Sequence, residues 1–194
     1  VAKNVALTST LPVFEAGAPL APSQNGPTAI GASSAVLNAR MLNVMNTDAR
    51  VRYLTARSRI AANSTSAALV RKSMDFERAF VAAGGLLMAG LDPTGNGGVV
   101  AGFGDLREVE LLVEAGFTPL EAIKIATLNG AKFLGEDRSI GSIAIGKQAD
   151  LMVVKGNPAS KILDIENVEI VFKDGVGYDS EKLIQSVQGL VGIR

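Results

Sequence analysis

The chain has 194 residues, 47% hydrophobic and 20% charged, a globular composition long enough to bury a sizeable core. Its 19 basic and 19 acidic residues cancel, so there is no cationic surplus for nucleic acid or an anionic membrane, and no uncharged run reaches the ~20 apolar residues of a membrane helix. Without cysteine there is no disulfide or thiolate site, and without histidine any zinc-like metal site must be completed from elsewhere.

The segment from Val5 to Leu11 reads as a mostly buried strand running into a loop, which Pro19, Pro22, Gly26 and Pro27 keep irregular. Val1 is not an initiator methionine and the apolar segment follows almost at once; a missing N-terminal portion would account for both. From Ser34 to Ile60, Val36, Leu37, Met41, Met45, Val51 and Leu54 recur at helical spacing, broken near Asn46 to Asp48. Ser64 or Thr65 caps a further helix to Ala83, with Leu69, Ser73, Phe76 and Phe80 on one face and Arg71, Lys72, Asp75 and Glu77 on a solvated one. Leu86 to Leu91 is a short apolar run between glycines, as expected of a strand in a parallel sheet covered by helices, and it ends at Asp92.

Residues 93–104 are too rich in glycine for a regular element and predict a loop at that strand's C-terminal end. A helix then starts at Asp105, with Glu108 as its capping-box partner and Leu106, Val109, Leu112 and Val113 buried, and stops at Gly116. Thr118, Pro119 and Glu121 open the next helix, which presents Leu120, Ile123, Thr127 and Ala131 and closes at Gly135. Beyond it the period turns strand-like over Ser142 to Ile145, Asp150 to Lys155 and Val168 to Lys173, up to the Asp174-Gly175 turn. An amphipathic helix from Ser180 to about Gln188 ends the chain.

Asp92 is the sharpest chemical candidate, because a carboxylate directly after a buried strand sits where α/β folds place their active sites. Against this, Asp-Pro followed by Thr-Gly is a turn former for purely local reasons. The Gly141 to Gln148 stretch nearly spells a phosphate-binding loop, but Gln148 lacks the hydroxyl that ligates magnesium and a strand, not a helix, follows. No serine can find a histidine base within the chain.

Three stretches resemble the metal-dependent amidohydrolase superfamily, in its imidazolonepropionase-like and Xaa-Pro-dipeptidase-like branch. Gly90-Leu-Asp-Pro-Thr-Gly95 is similar to the segment that ends barrel strand eight. The run from Glu114 to Gly135 resembles the helix signature that follows it, and Ile140 to Pro158 the hairpin that returns the chain to a small β domain. The resemblance implies an α/β fold: the C-terminal part of a TIM (β/α)8 barrel, with strands seven and eight and their helices in residues 1–137. Part of a small β-sandwich domain and a terminal helix would follow in residues 138–194. A complete barrel takes about 250 residues, so strands one to six would be absent.

The resemblance further implies a divalent metal, zinc above all, held in the family by histidines on other strands, none of which this sequence supplies. Asp92 would ligate that metal and act as general acid and base while water attacks a small amide, cyclic amide or dipeptide-like substrate. Thr94, Asn96 and Thr10 would contact the substrate, and Asp150 would be structural. The chain alone would be inactive, and its partners would be the substrate, the missing N-terminal barrel half and, in an oligomer, further copies of itself. A cytoplasmic location is favoured, with periplasm or secretion left open. Two rival readings are a metal-free binding module and one half of a heteromeric hydrolase.

Overall fold

The computed structural model describes residues 5–18, 39–61, 65–93 and 99–192. Its centre is a pair of parallel strands, β1 (Ala6–Ser9) and β2 (Leu86–Ala89), in the register Ala6 to Leu86 through Ser9 to Ala89. Parallel strands need a long crossover, and here it includes α1 (Leu11–Ala16), α2 (Ala39–Val44), α3 (Thr47–Ser58) and α4 (Ser66–Ala82). After β2 come α5 (Phe103–Glu114) and α6 (Pro119–Lys124), a π turn (Ile125–Asn129) and α7 (Gly130–Leu134). The remainder is an antiparallel sheet ordered β3 (Leu151–Val154), β4 (Val168–Lys173) and β5 (Val176–Asp179), a 3-10 turn (Ile162–Glu166) and α8 (Ser180–Ser186). None of the helices among the described residues is long and apolar enough to cross a membrane.

The main core lies between the strand pair and its helices. Leu87, with its partner Leu7, packs with Leu11 of α1, Val70 and Met74 of α4, and Leu111 and Leu112 of α5. Ile125 and Ala122 close it from the next helical run, and Ile165 ties the 3-10 turn of the small sheet to the same cluster. Removing this apolar surface from water is the main term holding the layers together.

Several expectations change in physically instructive ways. The chain turns into α1 immediately after Thr10, where a strand running into a loop was expected. Pro12 explains this: at the first helical turn its missing N–H costs nothing. In α4 the buried row is Val70, Met74 and Glu77, while Leu69 and Phe76 are 54% and 60% exposed. Two stripes of identical spacing run along this helix, and contact with α1 and β2 selects the second, carrying Glu77 inward rather than onto the solvated face. Thr65 makes no side-chain cap there, and Ser64 lies outside the described residues.

In α5 the start shifts to Phe103. Asp105 becomes the residue that reaches back to the Gly102 N–H at 2.7 Å, and Glu108 is buried instead of capping. The Thr118 cap holds: Thr118 Oγ1 accepts from the Glu121 N–H and Glu121 Oε2 from the Thr118 N–H. The strand expected over Ser142 to Ile145 does not form; Ile143 and Ile145 stand in solvent with no partner strand to cover their alternation. The Asp174-Gly175 turn instead joins β4 to β5, an additional strand.

Candidate active site

β1 and β2 end together, and the residues beyond them make one edge. The Gly90 N–H donates to the Ser9 carbonyl at 2.8 Å, prolonging the pairing past both strands. Gly90 is needed there: a Cβ would meet the Thr8 methyl at 2.6 Å and the Ser9 carbonyl at 3.2 Å. The Thr10 methyl lies 3.7 Å from the same point, so Thr10 sits beside the strand end that leads to Asp92.

Leu91 is buried against Gly104 and Val99, and the next residue, Asp92, is exposed with φ +48°. A positive φ is uncommon outside glycine, and Pro93 biases its predecessor towards extended backbone. Asp174 shares the conformation inside a two-residue hairpin, where the turn type demands it. At Asp92 no hairpin makes that demand, and such backbone outliers gather at functional sites. Thr94 and Asn96 lie outside the described residues.

The strand that delivers Asp92 is anchored from the other side. Asn129, at the end of the π turn, donates its Nδ2–H to the Leu87 carbonyl at 2.7 Å. The wider turn rotates the side chains after Ile125 relative to a regular helix, and π turns recur at functional sites. Asn129 belongs to the quoted helix signature, but helical spacing alone gives no sign of a π turn.

Behind the strand ends is a buried polar layer that sequence reasoning missed. Arg107 of α5 donates from Nε and Nη2 to the two carboxylate oxygens of Glu15 at 3.0 and 2.7 Å, and from Nη1 to Glu110 and Glu114 at 2.8 and 2.7 Å. Arg57 of α3 donates to the Glu15 and Ala16 carbonyls at the end of α1. Glu108 Oε2 accepts the Leu11 N–H at 3.0 Å, supplying a partner for the start of α1. Burial raises Glu110 to about 7 despite Arg107, with Glu166 opposing ionisation further. A signal was present in the sequence: Glu108 stands four residues before Leu112 and so falls inside the apolar stripe.

A groove of about 470 Å³ runs along the outer edge of β1, lined by Leu7, Thr10, Phe14, Leu69 and Phe76 among others. Among the described residues no cluster of three or more histidine, cysteine, aspartate or glutamate side chains could hold a metal ion. Asp92 therefore offers a single carboxylate donor, which fits one position of a metal site and not a whole one.

Residues 3–177 match the Amidohydrolase family. The chain belongs to that family. A 5'-deoxyadenosine deaminase of Methanobrevibacter smithii is 41% identical over 59 residues, 30% of this chain and 14% of that protein. A solved Xaa-Pro dipeptidase, with methionine bound in its active site, aligns with TM-score 0.50 and 25% identity over 75% of this chain and 34% of its own. A bottromycin amidohydrolase aligns with TM-score 0.64 and 23% identity over 93% of this chain and 40% of its own, a likeness of fold. This amidohydrolase chain thus has an α/β fold similar to family structures and spans well under half the length of the relatives it matches.

Proposed function

We propose that this amidohydrolase chain supplies strands seven and eight of a (β/α)8 barrel, and that Asp92 works at the mouth of that barrel in the hydrolysis of a C–N bond. The observation that carries the reading is Asp92 itself: exposed, with positive φ, directly beyond a buried parallel strand. Barrel enzymes take their catalytic groups from that end of their strands. In support, the relatives named above include a 5'-deoxyadenosine deaminase and a Xaa-Pro dipeptidase. The substrate class proposed is a small amide, cyclic amide or dipeptide-like molecule, with Thr10 beside Asp92 and Thr94 and Asn96 in the loop beyond as its contacts.

Family members generally work with a divalent metal, and zinc is the one proposed here. Asp92 would be one ligand, and the others would come from strands not contained in this sequence, since it has no histidine. Bound there, a metal would polarise a carbonyl and acidify water. The task of Asp92 is to accept the water's proton and return it to the departing nitrogen, a transfer that needs an exposed carboxylate facing the substrate. In support, β1 and β2 each have one edge unpaired among the described residues, and closure into a barrel is what removes such edges. The apolar groove along β1 is the surface on which the preceding strand and helix would pack.

The test is Asp92→Asn in the complete protein, assayed against a panel of amides, dipeptides and aminopurines. Asparagine tolerates positive φ as aspartate does, so the change removes the base without straining the backbone. Turnover should fall by at least about 100-fold with an unchanged melting temperature. Wild-type turnover in the variant would remove Asp92 from the reaction.

A further inference from the structure

We propose that Glu108 is a positioning residue for Thr10: it caps α1 from across the fold, which fixes the end of β1 beside Asp92 and releases the Thr10 hydroxyl from capping so that it can meet substrate. This role rests on the function proposed above, which puts Thr10 and Asp92 at one site.

Thr10 stands at the N-cap of α1, where threonine ordinarily turns its hydroxyl back onto the helix and accepts one of the first backbone N–H groups. Here the Thr10 side chain makes no cap bond. The donors of the first turn are met in other ways. The Leu11 N–H donates to Glu108 Oε2 at 3.0 Å, Pro12 has no N–H to offer, and the Val13 N–H donates to the Thr10 carbonyl at 3.2 Å. Leu11 is fully buried and Glu108 is 1% exposed, so bulk water does not replace that acceptor.

Glu108 is a poor choice for packing alone. Its second oxygen, Oε1, is buried without a hydrogen-bond partner among the described residues, a cost that an apolar side chain would not carry. Leu111 and Leu112 of the same helix are fully buried, so an apolar residue would suit the surroundings. What it could not do is accept the Leu11 N–H.

The same helix braces the other side of the site. Gly104, one turn before Glu108, leaves the space that the buried Leu91 side chain occupies, and Leu91 directly precedes Asp92. Thus α5 supports both strand ends, with Gly104 on the Asp92 side and Glu108 on the Thr10 side. The spacing between Thr10 and Asp92 then depends on a carboxyl oxygen 97 residues away from the amide it receives.

The experiment measures kcat and KM of the complete protein on the best substrate among the amides, dipeptides and aminopurines, for Thr10→Val, Glu108→Met, Glu108→Gln and the double variant of Thr10→Val with Glu108→Met. Valine keeps the shape of threonine without its hydroxyl, methionine keeps the length of glutamate without its acceptor, and glutamine keeps an acceptor. KM should rise about 10-fold in Thr10→Val and in Glu108→Met, with kcat within about 3-fold of wild type because Asp92 is untouched. The double variant should be no worse than Thr10→Val, since both changes act through one hydroxyl. Glu108→Gln should keep the wild-type KM. Independently of turnover, hydrogen exchange over residues 9–14 should speed in Glu108→Met and not in Glu108→Gln. A raised KM in Thr10→Val beside a wild-type KM in Glu108→Met would overturn the positioning role alone. So would additive losses in the double variant, unchanged exchange in Glu108→Met, or a KM raised as far in Glu108→Gln as in Glu108→Met. An unchanged KM in Thr10→Val would remove Thr10 from the proposed site, and the role of Glu108 with it.

Discussion

At Arg107 one guanidinium serves three carboxylates: both oxygens of Glu15 and one each of Glu110 and Glu114, from a side chain only 6% exposed. Such a cluster adds little net stability when complete, because desolvation offsets attraction. Its removal is costly for the same reason. Arg107→Ala should cost about 3–5 kcal/mol in urea denaturation, since several acids would stay buried without a cation. Arg107→Lys should recover only part of that, having no fork to match both Glu15 oxygens. A loss below about 1 kcal/mol for Arg107→Ala would mean that the carboxylates find water or protons without it. The sequence hides this cluster, because Glu15 lies 92 residues from Arg107 and no local pattern links them. A local pattern does show the cap of α6: Thr118 and Glu121 were readable because both partners sit within one turn.

The element that best joins sequence to site is the run from Pro119 to Leu134, which sequence periodicity reads as one helix and the fold divides with a π turn. That turn lets Asn129 hold the Leu87 carbonyl, five residues before Asp92. Asn129→Ala should therefore cost about 1–2 kcal/mol and speed amide exchange across Leu86–Ala89 more than across β4. Uniform exchange in both sheets would indicate that the side chain fills space and anchors nothing. Strand β4 was legible to the residue because its pattern is bounded by turns on both sides. The stretch over Ser142 to Ile145 has the same alternation and forms no strand, since alternation becomes a strand only when a neighbour supplies hydrogen bonds. In α4 the two equivalent stripes could not be ranked without knowing what packs on each.

On the scale of the whole molecule, the apolar surfaces left open are as informative as the core. Leu69, Phe76 and Phe14 are exposed along one edge of β1, and Leu151, Met152 and Val153 along β3 of the small sheet, each in a stretch apolar enough to be buried. That pairing of apolar sequence with exposure adds to the support for the proposal that strands seven and eight of a barrel lie here. Asp92 stands out in the sequence by its place after a buried run, and in the fold it is exposed with a positive φ. Thr10 was placed at the strand end without a sign of what it touches. A crystal structure of the complete protein grown with zinc measures the central claim most directly. The account predicts an Asp92 carboxylate oxygen about 2.0–2.2 Å from the metal; a zinc site without Asp92, its side chain turned away into solvent, would contradict it.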